Sequence, residues 1–87
     1  SKISQNHPNP STGITSIEVS LPKEVKEAYI KMTDITGKEV LHSPIVGRGT
    51  TNLEINTETF ANGVYMYSLI ADGVIIDTKK LVKQYGP

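Results

Sequence analysis

Hydrophobic and polar residues alternate along most of this chain, which is the pattern of β-strands with one buried face. The clearest example runs from Thr15 to Leu21, where Ile17, Val19 and Leu21 fall on one side of the strand and polar residues fall on the other. Thr51–Asn56 shows the same alternation. Both segments are predicted to be half-buried strands.

The segment that follows Leu21 fits two patterns. Behind Pro22, apolar residues recur at helical spacing, so one turn of helix stays open as an interpretation. From Ala28 to Met32 the apolar residues alternate instead, which favours a strand over about Glu27–Asp34.

A turn sequence then predicts a hairpin. Asp34-Ile35-Thr36-Gly37-Lys38 combines a turn-forming aspartate with a glycine suited to a positive φ. A partner strand is predicted over Lys38–Ser43. Pro44 and the glycines on either side of Arg48 end that strand.

The C-terminal third of the chain predicts a second hairpin. Val64–Ala71 is apolar at odd and even positions, which is typical of a central strand covered on both faces. Asp72-Gly73 is a two-residue turn that favours type I′ geometry, and Val74–Val82 is the returning strand. The alternation slips near Ile76, which predicts a β-bulge. Phe60 is predicted to close one end of the core.

These segments amount to roughly six or seven short strands with a turn signal about every 8 to 12 residues. The predicted fold class is therefore all-β, a two-sheet antiparallel sandwich over residues 14–84. Residues 1–13 are polar and rich in turn formers, and we expect a linker with a rigid turn before the first strand. Residues 85–87 are expected to be a short tail of native or artificial origin.

Composition limits the function. The chain has 87 residues and no cysteine, so apolar packing and strand pairing must hold one small domain together. Nine Lys and Arg balance nine Asp and Glu, which leaves no net field to attract nucleic acid. No apolar run approaches the roughly 20 residues of a membrane helix, and the N-terminus lacks a secretory signal. We expect the chain to be part of a longer protein.

No sequence motif for catalysis stands out. His7 and His42 lie in no recognisable catalytic pattern, and we interpret both as surface residues. Acidic pairs such as Glu54 and Glu58 are interpreted as solvated side chains rather than an acid and a base. Metal-ligand spacing and phosphate-binding glycine patterns are missing, so no cofactor is expected.

Aromatic side chains leave one binding alternative. Tyr29, Tyr65 and Tyr67 can form a strip for stacking on sugars. However, Tyr65 and Tyr67 project from the same face of the predicted central strand, which favours core positions with hydroxyl groups at the rim.

The last predicted strand carries a basic cluster. Lys79, Lys80 and Lys83 flank the apolar pair Leu81 and Val82. One interpretation is structural, because lysines on an exposed edge strand guard against pairing with another sheet. The other interpretation is recognition by a partner.

Four segments are informative as an ordered set. They are Pro8-Asn9-Pro10-Ser11-Thr12-Gly13, Ile30–Val40 with Asp34, Gly37 and Lys38 in its turn, Phe60–Tyr65 with Gly63 and Tyr65, and Lys79–Lys83. Together they resemble the type A C-terminal sorting domain of the type IX (Por) secretion system of Bacteroidota. The resemblance runs from about Pro8 to Gln84, with Phe60 in place of the usual leucine and Tyr85-Gly86-Pro87 beyond the last lysine.

This resemblance implies an immunoglobulin-like antiparallel β-sandwich of about seven strands that serves as a sorting signal. An N-terminal cargo protein would cross the outer membrane through the type IX translocon, with a shuttle protein and a sortase that often removes the domain. The cargo would be secreted or held at the cell surface, and the domain would be a substrate rather than an enzyme.

We expect the recognition signal to be the segment Lys79, Lys80, Leu81, Val82 and Lys83, which resembles the basic and aliphatic terminus of the family. Our physical hypothesis is that this last strand, with exposed lysines, is an open edge that the translocon or shuttle protein binds by strand addition. Such an edge can also pair two copies of the chain as a homodimer. Any cleavage is expected in or before Gln5–Pro8, because compact strands resist proteolysis. An immunoglobulin- or fibronectin-like module that binds carbohydrate or peptide, and a structural spacer, stay open as alternative functions.

Overall fold

The alternating segments fold as strands in the computed structural model, which describes residues 1–85. The strands are β1 (Lys2–Ile3), β2 (Ile14–Leu21), β3 (Ala28–Asp34), β4 (Glu39–Pro44), β5 (Gly49–Asn56), β6 (Gly63–Ala71) and β7 (Val74–Lys83). The segment behind Pro22 forms a turn at residues 23–24 rather than a helix. Within residues 1–85, no helix is long and apolar enough to cross a membrane.

Two antiparallel sheets form the sandwich. The smaller sheet has the strand order β1-β2-β5, and the larger has the order β4-β3-β6-β7. Their inward faces supply the core, in which Ile17, Ile30 and Leu69 are wholly buried. The predicted all-β sandwich of about seven strands is confirmed.

A hydrogen bond at the start of β6 is typical of immunoglobulin-like sandwiches. The Tyr65 hydroxyl donates to the carbonyl oxygen of Ala61 at 2.6 Å, as in the tyrosine corner of that fold. The Phe60 ring lies 5.1 Å from the Tyr65 ring and packs against the core, as predicted for a residue that closes one end.

The outer face of β6 departs from the prediction. Tyr67 and Leu69 point into the core, but Val64 and Met66 point outward and are 37% and 39% exposed. The prediction that both faces of β6 are covered is therefore wrong for its first half. A two-layer sandwich leaves one face of each sheet open to solvent, even where the sequence is apolar.

Both predicted hairpin turns are confirmed. The Asp34 carboxylate accepts hydrogen bonds from the Thr36 amide at 2.9 Å, the Thr36 hydroxyl at 2.6 Å and the Lys38 amide at 3.1 Å. These bonds, above all that of the Thr36 hydroxyl, lower the pKa of Asp34. Gly37 has a φ of +88°. Asp72 and Gly73 both have positive φ, as a type I′ turn requires.

The bulge in β7 is also confirmed. Ile70 pairs with Ile75 and Leu69 pairs with Asp77, so Ile76 is the extra residue.

Residues 1–13 require a correction, because the structure packs them against the sandwich. β1 pairs with β2, Ile3 joins the core, and Asn6 and Ser11 are buried. The buried Tyr67 hydroxyl donates to the Ser4 carbonyl oxygen at 2.8 Å. Polar composition suggested a linker, but these polar groups are satisfied by other parts of the chain rather than by solvent.

A candidate recognition surface at the end of the sandwich

β7 is an edge strand, and its alternation divides the basic cluster Lys79–Lys83 between two faces. Leu81 and Lys83 point inward and are almost wholly buried, at 0% and 1% exposure. Lys80 is exposed on the outer face, and Val82 is half-buried beside it. Lys79 is partly exposed and lies 3.3 Å from the Asp77 carboxylate. The prediction that the whole segment Lys79–Lys83 is accessible to a partner is therefore wrong for Leu81 and Lys83.

Lys83 is held by contacts that compensate its burial. Its ammonium group donates a hydrogen bond to the Thr57 carbonyl oxygen. The same group lies 4.8 Å from the centre of the Tyr85 ring, within reach of a cation–π interaction. A buried charge needs such partners, because desolvation without them is costly. Lys83 thus fastens the end of β7 to the loop behind β5.

The N-terminal motif, residues 8–13, lies along the edge of β7. The Asn9 side-chain oxygen accepts a hydrogen bond from the Val82 amide at 2.9 Å. The Ser11 amide donates to the Val82 carbonyl oxygen at 2.7 Å, and the Gln84 amide donates to the Ser11 carbonyl oxygen at 2.9 Å. Gln5 adds a side-chain hydrogen bond to the Lys80 carbonyl oxygen at 2.6 Å. Two motifs more than 70 residues apart therefore form one surface.

A buried polar cluster holds the motif in this position. Asn6 donates to the Pro8 carbonyl oxygen at 3.1 Å and to the Thr15 hydroxyl at 3.0 Å. The hydroxyls of Ser11 and Thr57 are 2.8 Å apart, and Thr57 also donates to the Gly13 carbonyl oxygen. The sequence pattern did not predict this cluster, although the inward position of Thr15 in the alternation of β2 was one available signal.

The other two motifs meet at the same end of the larger sheet. Asp34 pairs with Tyr65, and Tyr65 pairs with Leu81 on the next strand. Gly63 pairs with Lys83 and has a φ of +152°, a region that favours glycine. Residues 34–36 and 61–65 together line a shallow depression. Strand pairing therefore brings all four motifs to one end of the sandwich.

The remaining candidate residues are single exposed side chains or lie inside the core. His7 and His42 are exposed, and the His42 ring stacks on Tyr29 at 4.3 Å between ring centres. Glu54 and Glu58 are exposed, as predicted. Tyr65 and Tyr67 are buried and hydrogen-bonded, so they do not form a surface strip for sugars. Among residues 1–85, no three His, Asp or Glu side chains are grouped to hold a metal ion.

Tyr67 makes stability depend on pH in the alkaline range. Burial raises the pKa of its hydroxyl to about 12 from 10.0. The unfolded chain releases this proton first, so the free energy of unfolding should fall as the pH rises from 10 towards 12. Tyr67→Phe should weaken this fall, and urea unfolding across that pH range measures it. An equally steep fall in the phenylalanine variant would assign the effect to other groups.

The chain is similar to a known family of protein domains. Residues 5–84 match the profile of a protein family described as the secretion system C-terminal sorting domain. No curated protein and no solved structure matches the chain. The matched range includes all four motifs and every strand from β2 to β7.

Proposed function

Because this chain belongs to the family of secretion system C-terminal sorting domains, we propose that the type IX secretion machinery recognises the end of β7, at the end of the sandwich where the four motifs meet. The domain is a sorting signal for that system and directs an attached N-terminal cargo across the outer membrane, to the cell surface or the medium. The observation that carries the proposal is the family match over residues 5–84, since this range contains the motifs that the fold brings together.

The partners follow from this role. The translocon and a shuttle protein bind the domain, and a sortase removes it from the cargo after export. The domain acts as a substrate in these steps and contributes no catalytic group. Cleavage falls on the N-terminal side of Lys2, because Asn6 is buried and the His7 backbone pairs with Ser16 inside the Gln5–Pro8 segment. A protease needs an extended, accessible segment, which the packed residues do not offer.

The accessible chemistry of the surface is basic and apolar. Lys80 is exposed on the outer face of β7 opposite Met66, and Val82 lies opposite Val64. Leu81 and Lys83 support the strand from inside, and their side chains are buried while the domain is folded. The partner surface should therefore combine an acidic group with apolar side chains.

Transplanting the domain tests this function directly. A reporter that carries a periplasmic signal at its N-terminus and residues 1–87 at its C-terminus should appear on the surface or in the medium of a host with a type IX system. The same reporter should stay in the periplasm of a host whose translocon is deleted. Reporter retained in the periplasm of the competent host would contradict the proposal.

Charge reversal at Lys80 should separate recognition from folding. Lys80→Glu should lower export of the reporter about tenfold or more, because it places like charge against an acidic partner group. Lys31→Glu is the matched control, since Lys31 is an exposed lysine on the outer face of the same sheet. Both variants should unfold within about 0.5 kcal/mol of the parent domain. Equal export of the two variants would mean that Lys80 is not part of the recognition signal.

Deleting residues 79–87 should abolish export but cannot localise the signal. The deletion also removes Leu81 and Lys83, which are core residues, so loss of folding and loss of the signal would coincide. Point substitutions at the surface avoid this problem.

The alternative of a sugar-binding module loses two of the three tyrosines of its stacking strip, because Tyr65 and Tyr67 are inside the core.

Pairing of two copies of the chain as a homodimer stays a prediction. It concerns the first half of the β7 edge, before Lys80, where Val74 and Ile75 are exposed. Sedimentation of the isolated domain at several concentrations measures it.

A further inference from the structure

The edge of β7 has its backbone groups occupied at one end. In an antiparallel strand, the amide and carbonyl of one residue point to the same side. Val82 points both groups away from β6, and both are hydrogen-bonded to Asn9 and Ser11. The Lys80 carbonyl accepts from Gln5, and the Gln84 amide donates to Ser11. Four successive outward groups are therefore satisfied by residues 5–11 of the same chain.

The character of the contacts differs along this segment. Ser11 is the anchored end, because it pairs with β7 as a short parallel bridge and its buried hydroxyl lies 2.8 Å from that of Thr57. Asn9 and Gln5 instead use exposed side chains to reach the strand backbone. Backbone groups of an edge strand accept any extended chain that offers donors and acceptors at the same spacing. A strand from a partner can thus replace these bonds one for one.

We propose that residues 5–11 form a displaceable cover over the docking edge of β7, and that an extended strand of a partner protein binds this edge, from Lys80 to Gln84, in their place. This inference rests on the proposed function, because it assumes that the secretion machinery recognises this strand. The cover opens as a unit, which breaks the buried hydrogen bonds of Asn6 to Thr15 and of Ser11 to Thr57, while β6 and β7 stay paired. In the free domain it also blocks this end of the edge against pairing with other copies.

The position of the cover couples the edge to the cargo. Residues 5–11 lie in the segment that connects β1 to β2. The chain that leads to an N-terminal cargo joins the domain at β1. β1 pairs through just two residues, Lys2 and Ile3. Movement of the chain ahead of β1 therefore acts first on the short β1–β2 pairing and then on the cover, before it reaches β2 itself.

Amide hydrogen exchange of the full chain tests the cover. In the wild-type domain, the Val82 and Gln84 amides should exchange faster than those of Leu81 and Lys83, which point towards β6. Asn9→Ala removes the bond to Val82 only. If the cover opens as a unit, this substitution should speed exchange about tenfold at both Val82 and Gln84 and leave Leu81 unchanged.

The same exchange measurements include a control variant and two outcomes that would contradict the proposal. Asn52→Ala alters an exposed asparagine on β5, away from β7, and should leave all these amides unchanged. If Asn9→Ala speeds exchange at Val82 alone, the bond between Asn9 and Val82 breaks locally and the cover does not open as a unit. If Val82 and Leu81 exchange at equal rates in the wild type, both amides exchange only through global unfolding. Either result would overturn the proposal.

Export of the reporter separates this inference from the proposed function. If the cover only blocks the edge, Asn9→Ala should be exported as well as the wild type or better. Loss of export in Asn9→Ala, with the wild type exported, would make residues 5–11 part of the recognised surface and overturn the cover. Failure of the wild type to be exported would refute the proposed function, and the exchange rates would still decide whether the cover opens.

Discussion

Leu81→Ala is expected to lower the free energy of unfolding by about 3 kcal/mol, because it removes a wholly buried side chain and leaves a cavity beneath β7. A domain of this length has a total stability of only about 4 to 13 kcal/mol, so the loss is large. Urea unfolding should show a lower midpoint with an unchanged slope.

Val82→Ala is the matched control for this substitution. It removes a neighbouring aliphatic side chain that is half-buried on the outer face, and it should cost less than about 1 kcal/mol. Similar losses for the two variants would mean that the facing of β7 is not as described. A large difference between the two losses of unfolding free energy would establish that Leu81 is a core residue and Val82 a surface residue.

Lys83→Ala is expected to cost about 2 to 3 kcal/mol, because it removes a buried aliphatic stem and the donor to the Thr57 carbonyl oxygen. Lys83→Met keeps most of the stem and should cost about half as much. Chemical unfolding of both variants measures the two contributions separately.

Lys80→Ala provides the comparison, since Lys80 is exposed and should lose no more than about 0.5 kcal/mol. If all three lysine variants had the same small effect, Lys83 would not fasten the end of the strand. The expected contrast assigns the lysines of one short segment to different tasks: Lys83 stabilises the fold, and Lys80 remains available to a partner.

This division has a consequence for experiments on the signal. Substitutions at Leu81 or Lys83 that reduce export are expected to do so by lowering stability, because an unfolded domain presents no strand edge. Substitutions at Lys80 act with the fold intact. Export should therefore be compared only among variants whose unfolding free energy has been measured.

Alternation of side chains was sufficient to predict most strands. β2, β3, β5 and both hairpin turns follow from period two and from turn residues, because these depend on neighbours in the chain. The bulge at Ile76 was likewise visible as a slip in the alternation. The same local pattern divides Lys79–Lys83 between two faces, a consequence that composition alone obscured.

Contacts between distant residues were not predictable in this way. The Arg48 guanidinium donates to the Val25 carbonyl oxygen at 2.8 Å and to the Lys26 carbonyl oxygen at 3.0 Å, and so joins two loops. The Asp72 carboxylate accepts from the Lys26 and Glu27 amides, in addition to its place in the turn. No pattern in the sequence around Arg48 or Asp72 predicts these contacts with residues 25–27.

The sequence by itself determined the strands after residue 13, the turns and the family, because side-chain alternation and short motifs act over a few residues. Only the tertiary structure decided that residues 5–11 cover the edge of β7, that Lys83 is buried, and that four separate motifs share one end of the sandwich. The physical reason is that hydrogen bonds between distant segments depend on which strands become neighbours, and strand order is a property of the packed sheets rather than of any one segment.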